Sequence, residues 1–321
     1  MQLKNKKILV TGGKGFLGSY VVRELLKRGL SSDQIFVSSS KTADLRKWDA
    51  CNRIVKKMDI VIHAAGKIGG IGLNKEKPGE LFYDNIIMGA QLMEAARRAG
   101  VKKFVSIGTV CAYPNITHIP FREDNLWNGY PEETNAPYGL AKKMLLVQGQ
   151  AYKKQYDFDS IFLLPVNLYG PGDNFDPERS HVMPAMIKRV FDAKQKKKKF
   201  IEVWGTGRAT REFLYIEDAA RAVVLATEKY ESPDPVNIGS GMEISIKNLT
   251  KLICKILAYK GEIRWDTAKP DGQPRRCLDI SKAKKEFGFE AKIEFNEGVK
   301  KTIDWYVDIK KKETKSTDNN L

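Results

Sequence analysis

Short apolar runs alternate with stretches of helical period through the first half of the chain. "KKILVTGG", "QIFVSSS", "MDIVIHAAG", "KKFVSIG" and "SIFLLPVNLYG" read as strands. Between them, "FLGSYVVRELLKRG", "ADLRKWDACNRIVKK", "NIIMGAQLMEAARRAG" and "YGLAKKMLLVQGQAYKKQY" read as helices. Strand, helix, strand in this rhythm predicts an α/β fold whose parallel, doubly wound sheet is joined by right-handed crossovers. From Pro171 the pattern loosens into loops with Pro and Gly and shorter helices, read as a smaller α/β substrate-binding domain. The expected division is 1–170 for the sheet domain, with about 209–238 returning to it. Residues 171–208 and 239–321 make up the second domain, ending in a lysine-rich tail over about 310–321.

With 321 residues the chain has room for two such domains. Its formal charge of +16 raises nucleic acid as a partner, but much of the excess lies in "KQKKKK" and the tail "IKKKETKSTDNN", which are poor in aromatics. Nucleic-acid sites interleave aromatics and arginine with the charge, so solvated surface is the reading of both runs and no nucleic-acid partner is expected. A positive field still draws in an anionic substrate. Cys51, Cys111, Cys254 and Cys277 are scattered without ligand or disulfide spacing, which predicts neither a metal site nor a disulfide framework and suits a reduced, cytoplasmic protein. The first residues enter a strand directly, and no stretch approaches the ~20 apolar residues of a membrane span, so neither a leader nor a membrane partner is expected.

"VTGGKGFLG" places Gly12, Gly15 and Gly18 between a strand and a helix. Glycines there let backbone N–H groups approach a pyrophosphate whose charge the helix N-terminus favours, as in Rossmann-type dinucleotide sites. Cofactor choice is read after the second strand, where an acid accepts from the 2′-hydroxyl of NAD and repels the 2′-phosphate of NADP. Here "VSSSKT" offers Ser39 and Lys41 and no acid, and Lys14 sits inside the turn, so NADP(H) is the expected cofactor. Asp44 in "ADLRKWD" is the residue able to overturn this, and it is placed at the end of the third strand, near the adenine. With Phe16 and Leu17 of the turn, and Ala64 and Ala65 of "HAAG", these residues form the expected cofactor set, completed by Lys142 and His181.

"YGLAK" puts Tyr138 and Lys142 one helical turn apart on one face. An ammonium beside a phenol lowers its pKa, which suits an acid that protonates a carbonyl oxygen as hydride reaches its carbon. Thr109 follows the fourth apolar run, where strand ends open onto the ligand crevice of such folds. Glycine turn, Thr109, Tyr138 and Lys142 together resemble the extended short-chain dehydrogenase/reductase superfamily. That resemblance implies that the hydroxyl orients the substrate oxygen and that the lysine also holds the nicotinamide ribose.

Cys111 lies just beyond Thr109, and His181, one of three histidines, sits in a Gly- and Pro-rich loop after the last strand of the first domain. His63 reads as a satisfied core histidine and His118 as a loop residue. Carbons flanking a ketone are acidic, and inverting one needs a base on one face and an acid on the other. A thiol and an imidazole titrate near neutral pH and fill those roles, with Thr109 and Tyr138 at the enolate oxygen. Small filler under a loop and a helix cap are the plainer alternatives for Cys111 and His181.

"TGGKGFLG", "AAGKIGGIGLN", "CAYP", "YGLAK", "NLYGPGDNF", "SHVMPAMIKR", "WGTGRATREFLYIEDAA" and "KPDGQPRRCLD" stand in the order and spacing of the GDP-L-fucose synthase family, 3,5-epimerase/4-reductases of a GDP-4-keto-6-deoxy sugar. The resemblance runs from about Lys7 to about Phe289. It implies Cys111 as base, His181 as acid, and Tyr138 with Lys142 for reduction. It further implies Asn167, Arg189, Trp204, Arg211 and Arg276 toward the GDP-linked 4-keto sugar, bidentate arginine suiting phosphate, and a homodimer. Thr109, Val110 and Cys111 stand where the family usually has Ser-Ser-Cys, and Gly66 is inserted in "AAGKIGG". A relative acting on another GDP-4-keto sugar, such as a 6-deoxyheptose, is the alternative kept. A 4,6-dehydratase lacks its carboxylate pair here, and an NAD-retaining 4-epimerase lacks its acid after the second strand. A dinucleotide sensor or nucleic-acid binder on the same scaffold would more commonly have lost Tyr138 or Lys142.

Overall fold

The computed structural model describes residues 1–177, 180–269 and 271–318. In chain order the elements are β1 (Ile8–Thr11), α1 (Phe16–Lys27), β2 (Ile35–Ser38), α2 (Trp48–Val55), β3 (Ile60–His63), α3 (Ile71–Glu76), α4 (Pro78–Arg98), β4 (Lys103–Ile107), α5 (Ala136–Tyr156) and β5 (Ser160–Pro165). Then follow β6 (Asn167–Tyr169), α6 (Val182–Gln195), β7 (Phe200–Trp204), β8 (Thr210–Tyr215), α7 (Ile216–Lys229), β9 (Pro235–Ile238), β10 (Glu243–Ser245), α8 (Ile246–Ile256), β11 (Glu262–Asp266), α9 (Ser281–Phe287) and α10 (Phe295–Asp318).

Six parallel strands run in the order β2-β1-β3-β4-β5-β9. β1, β3 and β4 are buried along their whole length, as apolar runs sandwiched between helices must be. β2 is an edge strand and leaves Phe36 and Val37 exposed. The chain leaves β1 toward β2 and then returns across it to β3, so the sheet switches direction between β1 and β3. Ligands bind at the carboxyl ends of strands at such a point.

The run "SIFLLPVNLYG" is two strands. Pro165 has no N–H to extend the ladder, Val166 donates to Ile238 O at 3.0 Å, and β6 crosses into a three-stranded sheet ordered β10-β8-β6. β11 and β7 form a separate parallel pair. A second apolar core, with Met183, Ile187, Val190, Ile201, Phe213, Leu249, Ile253 and Ile303, gathers α6, β7, β8, α8 and α10. Leu278, Ala283, Phe287 and Phe289 return to the core of the main sheet.

Two surface expectations were the lysine runs. Lys194 to Lys199 lie exposed around the end of α6. The lysine-rich tail continues α10 as far as Asp318, and 319–321 fall outside the described residues. No helix among the described residues is long and apolar enough to cross a membrane.

Candidate active site

A crevice of about 980 Å³ opens over the carboxyl ends of β1, β3 and β4, large enough for a dinucleotide with part of a second ligand. Its floor at one end is the glycine turn. Gly12 holds φ +68°, and a Cβ there would stand 2.9 Å from the Ala65 backbone; a Cβ on Gly18 would stand 2.2 Å from Gly12 O. The turn is therefore pressed against β3's exit and against its own helix, leaving the first N–H groups of α1 open to the crevice, where a pyrophosphate fits. Gly12, Lys14, Gly15, Phe16, Leu17 and Gly18 all line it, as do Ala64 and Ala65 across from them.

Beyond β2 the lining passes through Ser39, Ser40 and Ala43 to Arg46. Lys41 is exposed and is not part of the lining. Asp44 corrects the sequence reading. It lies in the loop after β2, not at the end of the third strand, because "ADLRK" stays outside the helix and α2 begins only at Trp48. Its carboxylate is already engaged: Arg46 Nε and Nη2 donate to its two oxygens at 2.9 and 3.0 Å, and this pairing holds the carboxyl below its usual range. Arg46 reaches on to Asp84 at 3.3 Å, and Asp84 in turn accepts from Lys67 Nζ at 2.9 Å. Asn85 grips the Lys67 backbone from both sides, accepting from its N–H at 3.0 Å and donating to its carbonyl at 2.9 Å.

Tyr138 and Lys142 share the buried face of α5, a helix that starts with Pro137 in its first turn and closes at left-handed Asp157. Lys142 Nζ donates to Ala65 O at 3.3 Å, and burial lowers its pKa to about 8. Tyr138 differs from the expectation that the lysine would lower its pKa. Burial pushes the phenol up, the neighbouring Cys111 adds to this, and a hydrogen bond with Thr109 opposes it. Lys142 does not contribute to this shift, its ammonium donating instead to the Ala65 carbonyl.

Thr109 caps the turn after β4, its Oγ1 accepting from Cys111 N at 3.2 Å. Cys111 is half-buried and lines the crevice with Thr109, Tyr138 and Lys142. Arg276 Nη1 approaches its Sγ at 3.7 Å. His181 lies across the same crevice at the N-cap of α6 but makes no side-chain cap bond, which removes the capping role weighed for it. The residue is exposed, yet the walls around its imidazole and then the Arg276 charge hold its pKa below the usual value.

Asn167 lines the crevice and donates to Glu212 O at 2.8 Å. Arg211 reaches Thr210 O and Gln273 O at 2.7 and 2.6 Å; burial, with Arg276 nearby, lowers its pKa to about 10. Arg189 and Trp204 are exposed and stand away from the crevice lining, with Arg189 donating to Glu202 O. His63 is fully enclosed: Nδ1 meets Thr11 Oγ1 at 2.8 Å, Nε2 has no partner, and burial drives its pKa well below normal. His118 is an exposed loop residue. Among the described residues no cluster of ligands able to hold a metal occurs.

A parallel sheet with a glycine cradle at its switch point, a threonine just past the end of β4 and a tyrosine and lysine on the facing helix α5 defines a dinucleotide-dependent enzyme of the epimerase and reductase type. The sequence model of the NAD dependent epimerase/dehydratase family matches residues 8–239. GDP-L-fucose synthase of Sinorhizobium fredii is 38% identical over 307 residues, covering 95% of this chain and 96% of that protein. The chain belongs to the NAD dependent epimerase/dehydratase family and, within it, to the GDP-L-fucose synthase family. Among solved structures, a GDP-L-fucose synthetase from Naegleria fowleri bound to NADP superposes with a TM-score of 0.86 at 30% identity, covering 96% of this chain and 94% of that one. A GDP-6-OMe-4-keto-L-xylo-heptose reductase from C. jejuni gives 0.88 at 26% identity, covering 96% and 99%.

Proposed function

We propose that this protein is an NADPH-dependent epimerase/reductase that converts GDP-4-keto-6-deoxy-D-mannose to GDP-L-fucose. The observation that carries this reading is one crevice lined by Thr109, Cys111, Tyr138, Lys142 and His181 next to a glycine cradle. The cradle residues Gly12, Gly15 and Gly18 hold the cofactor's pyrophosphate, Ser39 and Arg46 lie on the adenosine side, and Lys142 holds the nicotinamide ribose. Bound NADPH supplies the hydride for C4. Cys111 takes the proton from C3 and from C5 on one face, and His181 returns a proton on the other. During each inversion the Thr109 and Tyr138 hydroxyls donate to the enolate oxygen, a site where charge develops and donors count most. Tyr138 then gives its proton to the C4 oxygen, and burial, which raises the phenol's pKa, keeps that proton on the oxygen until it is transferred.

The sheet domain holds the cofactor, while 171–208 and the part of 239–321 outside the main-sheet core hold the GDP sugar, with Asn167, Arg211 and Arg276 on the substrate side and Arg189 and Trp204 reached only by a part of the substrate that extends past the crevice lining. The four cysteines are free, which suits the cytoplasm. Phe82 and Tyr83 on α4 and Val147 on α5 are exposed on two mutually packed helices, which suits a homodimer.

The test is NADPH oxidation, followed by the absorbance of the reduced nicotinamide, with GDP-4-keto-6-deoxy-D-mannose and with a GDP-4-keto-6-deoxyheptose. Turnover of the mannose derivative to GDP-L-fucose is expected. Turnover of the heptose alone would replace this substrate assignment.

A further inference from the structure

Arg276 carries its charge without a counter-ion: no described carboxylate makes an ion pair with it, while the adjacent Arg275 is engaged by Glu243 at 2.6 Å. Its anchor is a neutral amide. Nε and Nη2 both donate to Gln273 Oε1, at 3.1 and 3.0 Å, which turns the remaining nitrogen, Nη1, toward Cys111 Sγ. Gln273 is fixed from several sides. Its Nε2 donates to Asn115 O at 3.0 Å, on the loop that follows Cys111, and its own carbonyl accepts from Arg211 Nη1 at 2.6 Å. The segment after it is strapped along β8, with Thr210 N donating to Pro274 O at 2.9 Å and Glu212 N to Arg276 O at 3.0 Å. One glutamine thus ties both arginines to the turn that carries the thiol.

We infer that Gln273 is a positioning residue that holds Arg276 as an uncompensated cation against Cys111, where it favours the anion that the sulfur must become to take up a proton. This rests on the proposed role of Cys111. A thiolate is favoured beside guanidinium, and the neutral anchor matters because a carboxylate in its place would cancel the charge the sulfur feels. The charged and titratable groups facing Cys111 are Arg276 from the 272–276 segment, Arg211 from β8 and Tyr138 from α5. Burial first and the same Arg276 charge second disfavour the protonated form of His181, so an imidazolium formed there gives up its proton readily.

The experiment is iodoacetamide alkylation of the ligand-free protein across pH, with the modified Cys111 peptide quantified by mass spectrometry. Cys51, Cys254 and Cys277 are buried and serve as slow internal references. Gln273→Glu hands Arg276 a carboxylate of nearly the same shape. It is expected to raise the alkylation midpoint by about one pH unit, an about tenfold slower reaction below the midpoint. Arg276→Gln should raise it at least as far, Arg276→Lys should keep most of the wild-type behaviour, and NADPH binding, a check on folding, should be unchanged in Gln273→Glu. A midpoint unmoved in both Gln273→Glu and Arg276→Gln would overturn the inference. Alkylation needs no sugar, so a shifted midpoint in a protein that puts no solvent deuterium into the sugar would support the clamp and overturn only the epimerase reading.

Discussion

Replacing Lys142 by Met should remove a contribution to stability that rises with pH in mildly alkaline solution. Lys142 is buried, and burial lowers its pKa from 10.5 to about 8. Between those values the unfolded chain holds a proton that the folded one has released, so stability increases as pH rises through this window. At pH 7 the buried ammonium costs about 3 kcal/mol, and at pH 9.5 about 1.4 kcal/mol remains, a gain of roughly 2 kcal/mol across the interval. Buried Cys51, Cys254 and Cys277 and the buried tyrosines, raised in pKa, lose stability as pH rises, but they are common to both proteins and drop out of the difference. Lys103 and Lys143, also lowered by burial, are common to both proteins and drop out of the difference. Urea unfolding of wild type and Lys142→Met at pH 7 and pH 9.5 reads this directly. The variant should be the more stable at pH 7 and should have lost most of its advantage at pH 9.5. Parallel curves in the two proteins would show that Lys142 is not the strained ammonium described here.

Gly18→Ala places a Cβ 2.2 Å from Gly12 O, and the forced shift of the turn should weaken NADPH binding by about tenfold or more in a fluorescence titration. Tyr138→Phe should cut NADPH-dependent C4 reduction by about 10²–10⁴-fold while leaving NADPH affinity near wild type. Glu212 is buried and accepts from Ser240 N, Gly241 N and Leu278 N with both oxygens. Glu212→Gln turns an NH₂ toward one of these donors and should cost about 2–3 kcal/mol in denaturant unfolding.

The main sheet was legible because its strands are apolar runs bounded by glycine or polar turns, and the cofactor cradle because its glycines follow the first run. Tyr138 and Lys142 were found by helical spacing, which needs only local geometry. What escaped was set by long-range approach. Arg46 and Asp84 lie on separate elements and meet only when α4 packs beside the β2 exit loop, and Asp44 belongs to that same loop because α2 begins only at Trp48. Gln273 had no local signal: its importance comes from a loop folded back on β8 and onto the turn after β4. The pKa of Tyr138 was misjudged for a related reason. Spacing shows which groups are neighbours along a helix but not how completely the fold removes water from them.

The most direct test is incubation with GDP-4-keto-6-deoxy-D-mannose and NADPH in D₂O, followed by NMR of the sugar. The account predicts GDP-L-fucose with deuterium at both C3 and C5 in the wild type, and loss of that label in Cys111→Ser. Reduced sugar without deuterium at those carbons would contradict it, leaving a plain C4 reductase in which Cys111 carries no proton.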